Sequence, residues 1–143
     1  MTRAPNGSTI SAALAASVPT VVAACLRNAS AVSAWLAARP ELVVAVVPAG
    51  ERWPDGGLRP AVEDLWGAGA VLSTLVGGGA SPEARVAAAA FDAVRPSLDA
   101  EMRACASGRE LTAMGFADDV AVASELDTST VVPILVDGVF RAG

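Results

Sequence analysis

Leu42-Val43-Val44-Ala45-Val46-Val47 is the stretch on which the fold turns. Six apolar residues in succession, four of them Val, show no polar alternation, and a run this short between Pro40 and Pro48 is too brief for a buried helix. It reads as a strand covered on both faces, as in a parallel sheet sandwiched between helices. Thr20 to Leu26, bounded by Pro19 and by Arg27-Asn28, reads the same way. Helical spacing recurs around both runs. Ser8 or Thr9 caps a helix with Ile10, Leu14 and Val18, and Asn28 or Ser30 opens one with Val32, Trp35 and Leu36 inward. Pro60 begins a third, which places Leu58, Val62, Leu65, Leu72 and Val76 on one stripe. Helix, strand, helix, strand, helix implies right-handed crossovers. The expected class is α/β: a three-layer α/β/α domain with a short, mainly parallel sheet.

Beyond Gly77-Gly78-Gly79 the alternation gives way to helices. Ser81-Pro82-Glu83 starts an Ala-rich helix that ends at Pro96, and Ser97 caps one holding Leu98, Met102 and Cys105. Ser107 and Glu110 have capping-box spacing, Gly115 can close that helix, and Asp118 can cap the last, with Val120 and Ala123. Pro133 removes a ladder donor from Thr130 to Val136 and makes it an edge strand or an extended tail.

Composition fits one domain over residues 1–143. The chain is 53% hydrophobic and 17% charged, so it is globular, and its 4% aromatic content leaves few stacking platforms for nucleic-acid bases. A net charge of −5 opposes binding to nucleic acid or to anionic membrane. All ten basic residues are Arg. Without Lys or His, the chain has no His general base, no Schiff-base Lys and no His metal ligand. Cys25 and Cys105, without CxxC spacing or a secretory leader, read as buried thiols in a reducing cytoplasm. The longest apolar runs fall short of the ~20 residues needed to span a bilayer.

In an open parallel sheet, ligands bind where strands lead into helix N-termini. Three segments share that rim: Asn6-Gly7-Ser8-Thr9, Arg27-Asn28-Ala29-Ser30, and Gly50 to Asp64. The first can present backbone donors and two hydroxyls to an anion, or serve as a plain cap and turn. Glu63 and Asp64 stand about 100° apart around their helix, suited either to Mg²⁺ or to complementing the helix dipole. Arg52 and Arg59 can fork onto a phosphate or sulfonate, or pair with Glu51 and Asp55. Asp118-Asp119 is read as capping, Trp35 and Trp66 as core, and Trp53 as a loop anchor.

Taken in order, these segments resemble the 2-phosphosulfolactate phosphatase (ComB-like) family. The likeness is carried by Asn6-Gly7-Ser8, Leu26 to Val32, Ala49-Gly50-Glu51, and Glu63-Asp64 with Gly67-Ala68-Gly69. Ser107 to Leu111, Gly115 to Val120, Glu125-Leu126-Asp127, Val132-Pro133 and Asp137-Gly138 complete it. The resemblance implies a Mg²⁺-dependent phosphatase of coenzyme M biosynthesis, converting phosphosulfolactate to sulfolactate and phosphate on an α/β/α fold. It favours a mechanism in which Asp64, Glu63 or both hold Mg²⁺, Arg52 neutralises developing charge, and water activated by the metal attacks. Asn6, Gly7, Ser8, Thr9 and Asn28 are then the candidate phosphate-binding residues.

The resemblance covers the later portion of the family pattern. The strand and acidic loop expected before the Asn-Gly segment have no counterpart in Met1 to Pro5. The expectation that follows is an incomplete sheet whose strand edges seek a second copy of the chain or a complementing N-terminal half, with activity depending on that partner. The alternatives are a non-catalytic binding or assembly module and an anion-binding regulator on the same fold.

Overall fold

Small side chains let two helices approach closely, and the core is organised around one such crossing. The structure, a computed structural model, describes residues 6–75 and 79–143. Met1 to Pro5 and Val76 to Gly78, including the last residue of the expected helical stripe and most of the Gly-rich break, lie outside the described residues. Helix α1 spans Asn6–Leu14 and α2 spans Ala29–Ala37, the latter entered through a single 3₁₀ turn, Leu26–Asn28. A two-residue hairpin, β1 Glu51–Arg52 with β2 Leu58–Arg59, leads into α3, Val62–Leu72. Then come α4 Pro82–Val94, α5 Leu98–Ala104, α6 Ala106–Ala113 and α7 Ala117–Ser124. The hairpin of β3 Pro133–Val136 and β4 Val139–Ala142 follows them.

Helix α3 meets α4 through its smallest residues. A side-chain carbon added at Gly69 would run into the Ala87 carbonyl oxygen and come within 2.7 Å of Phe91 Cβ. Trp66, Ala68, Gly69, Ala70 and Val71 are accordingly buried. The expected inward stripe of Leu58, Val62, Leu65 and Leu72 is corrected by this packing. Leu58 belongs to β2 and Val62 is exposed, because the Ala/Gly face permits the closer helix contact. Ser33 on α2 donates to the Val71 carbonyl at 2.6 Å, fastening a third helix to the crossing. Leu26, Val32, Phe91, Leu98, Met102, Val120 and Val132 complete the core, with Trp35 and Leu36 packed against it.

The Ala-rich helix starts as its sequence dictates: Ser81 caps it by accepting from Ala84 N at 3.2 Å, and Pro82 follows at the first helical position. The capping box expected at Ser107 does not form. Cys105 caps α6, its sulfur accepting from Gly108 N at 3.4 Å, and Glu110 turns instead to Arg59. Gly115, at φ +92°, ends α6. Helix α7 has Phe116 rather than Asp118 at its cap, and both Asp118 and Asp119 lie in its first turn.

Helices and strands mix, as the α/β class requires, but every pairing among the described residues is antiparallel. The expected parallel sheet and third layer are not among the described elements. Thr20 to Leu26 supplies only a bridge from Val22 to Ile134, flanked by Ala23 N to Pro133 O and Leu135 N to Val21 O, both 2.9 Å. The expectation of an edge strand or extended tail is corrected: β3 lies between β4 and the Val21–Ala23 segment, and Pro133 is tolerated as its first residue, where the missing donor costs little. Leu42 to Val47 forms no strand: Val43 is fully exposed and Val47 is 53% exposed. Strand propensity expresses fit to a neighbouring pleated surface, and none lies alongside this run among the described residues. Cys25 is exposed rather than buried, and both cysteines are free thiols.

Candidate functional site

The Gly50 turn and the β1–β2 hairpin gather one corner of the molecule. Gly50 adopts φ +65°, and a Cβ there would stand 3.0 Å from the Arg59 carbonyl oxygen and 3.0 Å from Leu58 Cδ1. Both peptide groups of this glycine are engaged. Its N–H donates to Asp64 Oδ2 at 2.6 Å and its carbonyl accepts from Asn6 Nδ2 at 2.8 Å. Asn6 Oδ1 in turn accepts from Arg52 Nε at 2.8 Å, and Arg52 Nη1 donates to the Gly56 carbonyl at 2.9 Å. The hairpin makes this last contact possible. Gly56, at φ +90°, and the Asp55 carboxylate accepting from Gly57 N at 2.8 Å fold the loop back under the Arg52 side chain.

Three segments far apart in sequence therefore meet: the start of α1, the Gly50–Arg52 corner and the first turn of α3. Gly7, Ser8 and Thr9 occupy the same first turn of α1 as Asn6, with Ser8 and Thr9 exposed. The Gly7 carbonyl accepts from Ser11 Oγ at 2.8 Å. An open apolar groove of ≈ 470 Å³ adjoins Gly50, walled by Pro48, Leu58, Pro60, Ala61, Val62 and Leu65. Burial, reinforced by the charge of Glu63, raises the Asp64 carboxyl above its ordinary value, while the Gly50 hydrogen bond opposes the rise.

Glu63 does not converge on the same point. It lies against the Cys105 thiol, which is pushed up mainly by burial and further by this carboxylate. Asp64 reaches Gly50 instead, so the two carboxylates leave α3 toward different neighbours. Among the described residues no group of three or more His, Cys, Asp and Glu side chains can hold a metal ion. Mg²⁺ takes one or two protein carboxylates with phosphate and water completing its shell, and Asp64 is the carboxylate joined to the Gly50 corner.

Asn28 is committed elsewhere. It is 5% exposed, its Oδ1 accepts from Cys25 N at 2.8 Å, and its Nδ2 donates to the Val131 carbonyl at 3.0 Å and more weakly to that of Ala23. These bonds tie the 3₁₀ turn to the segment before β3, a structural task rather than anion binding. Replacing Asn28 by Ala is expected to lower unfolding stability by about 1–3 kcal/mol through buried groups left unpaired, as read by urea denaturation; a neutral result would mean the bonds contribute nothing.

Arg59 is likewise occupied. It makes a two-pronged bond to Glu110 at 2.8 and 3.0 Å, with Trp53 beneath its guanidinium at 5.5 Å. The anchor reading of Trp53 acquires a physical basis here, since it backs the cation that joins the hairpin to α6. The clasp around Asp127 is a feature that the sequence concealed: Ser30 N and Oγ donate to its two carboxylate oxygens at 2.7 and 2.6 Å. Asp127 caps α2 across nearly a hundred residues, with no local motif to announce it.

A carboxylate, a guanidinium and the first turn of α1, linked through a positive-φ glycine beside an open groove, thus form one corner of a mixed α/β protein. The chain belongs to the 2-phosphosulpholactate phosphatase family, whose model matches residues 1–138. No curated protein matches it.

Proposed function

We infer that this protein is a phosphatase acting on 2-phosphosulfolactate, releasing sulfolactate and phosphate with Mg²⁺ as cofactor, in the cytoplasm. The observation that carries the reading is the linked set Asp64, Gly50, Asn6 and Arg52 at the start of α1, in a chain of this family. Arg52 keeps donors beyond those given to Asn6 and Gly56, which can receive the phosphate oxygens and meet charge as the ester bond breaks. Gly7 and Ser8, on the same turn of α1 as Asn6, lie beside this set. Asp64 is the residue that would hold magnesium, with Glu63 adding negative charge behind it. Magnesium, when bound, offsets the charge of the phosphate and sharpens water as a nucleophile.

The reading is tested by phosphate release from 2-phosphosulfolactate by the purified chain, with and without Mg²⁺. Turnover that needs Mg²⁺ and falls when Arg52 is replaced by Ala supports it. Folded protein that neither turns over nor binds substrate overturns it. A second reading, a binding or assembly module, is favoured by the exposed run Leu42 to Val47, which suits pairing with a second copy or a complementing polypeptide. Turnover that appears only on addition of such a partner would unite the two.

A further inference from the structure

We propose that Asn6 is a positioning residue for Arg52 and Asp64, not an anion ligand. The proposal deepens the phosphatase reading and rests on it for its catalytic consequence. An Asn amide has one acceptor oxygen and one donor nitrogen, and here the oxygen faces Arg52 Nε while the nitrogen faces the Gly50 carbonyl, each at 2.8 Å. Turning the amide over would set donor against donor and acceptor against acceptor, so its orientation is fixed by its neighbours. Held in this way, Arg52 spends two of its five N–H donors on the protein, one on Asn6 and one on the Gly56 carbonyl. The others are aimed rather than free to sweep.

Through Gly50 the same amide also reaches the carboxylate. The glycine receives Asn6 on its carbonyl and gives its N–H to Asp64, at a backbone conformation that a side chain would strain. The result is a relay, Arg52 to Asn6 to Gly50 to Asp64, in which one amide sets the spacing between the positive and negative groups of the site. Geometry of this kind acts on rate by holding groups in reacting register.

The test combines a double-mutant cycle on inorganic phosphate affinity, in Mg²⁺, with the Nε–H proton resonance of Arg52 in the full chain, assigned by Arg52→Lys. Asn6→Ala is expected to weaken phosphate binding about tenfold, the equivalent of one lost hydrogen bond, and to have no added effect in an Arg52→Ala background. Losses that multiply in the double variant would make Asn6 a ligand itself and overturn the proposal. In the unmodified chain the Nε–H resonance should stand apart from that of free arginine and return toward it in Asn6→Ala. Asn6→Asp, which keeps the acceptor, should preserve the displaced resonance, and it replaces Asn6→Ala if the latter does not fold. An unmodified chain with Arg52 Nε–H at the free-arginine position sinks the proposal whether or not phosphate binds. A displaced, Asn6-dependent resonance in a chain that binds no phosphate upholds the positioning role and removes the phosphatase reading.

Discussion

Replacing Asp64 by Asn is expected to cut Mg²⁺-dependent phosphate release by about 10²-fold or more, the scale of several kcal/mol of lost charge stabilisation, while leaving the fold as stable as before or slightly more so. The two halves of this expectation share one cause. Asp64 is half-buried, and burial raises its carboxyl above the ordinary value despite the Gly50 N–H that points at it. The folded chain therefore holds this proton more tightly than the unfolded chain does. Stability from this group is greatest at acidic pH and declines as pH rises through the folded value. An Asn at position 64 can still accept from Gly50 N with no charge to desolvate. Phosphate-release kinetics and thermal melts between pH 4 and 8 read both halves. Unchanged turnover would remove Asp64 from the site, and a large fall in stability would mean that its charge is needed for folding.

Gly69→Ala is expected to be the more damaging change to the fold. The added methyl has no room between the Ala87 carbonyl oxygen and Phe91 Cβ, so α4 must shift away from α3 along the crossing that organises the core. Overpacking of this sort costs about 1–3 kcal/mol and occasionally more, a fall in Tm of roughly 5–10 °C in a domain of this size. Gly67→Ala, two residues earlier on the same helix, is the control. Nothing lies within 4 Å of a Cβ there, so the better helix former should stabilise the chain, by up to about 1 kcal/mol. If the two variants melt alike, the close approach of α3 and α4 is not what limits packing.

Local chemistry was legible at several element ends, though not at Ser107 or Asp118, where Cys105 and Phe116 take the cap positions instead. Ser81-Pro82 starts α4, Gly115 ends α6, and Val32 faces the core from α2, because caps, positive φ and helical period need only nearby residues. The helix start at Asn6-Gly7-Ser8 and the gathering of Arg52 and Asp64 near it were read as parts of one rim, and their meeting rests on Gly50 hydrogen bonds spanning 14 and 44 residues. That span is why the sequence could nominate these residues but not join them. Asn28 shows the converse: an amide in an apolar turn looks the same in sequence whether it awaits a ligand or binds Cys25 and Val131, and only its burial distinguishes the two. Leu42 to Val47 misled for a third reason. Valines reveal a taste for extended backbone, but pairing is a property of two segments, and the second cannot be read from the first.

That same ribbon supplies a clock. Among the described residues, the amides of Val43 to Val47 donate to no backbone carbonyl, so deuterium should enter them at nearly the pace of an unstructured peptide while Val71 and Phe91 stay protonated. Any occupant that pairs with this edge will slow alternate amides of the run, those whose N–H groups face it, reporting its arrival and its side even when its identity is unknown.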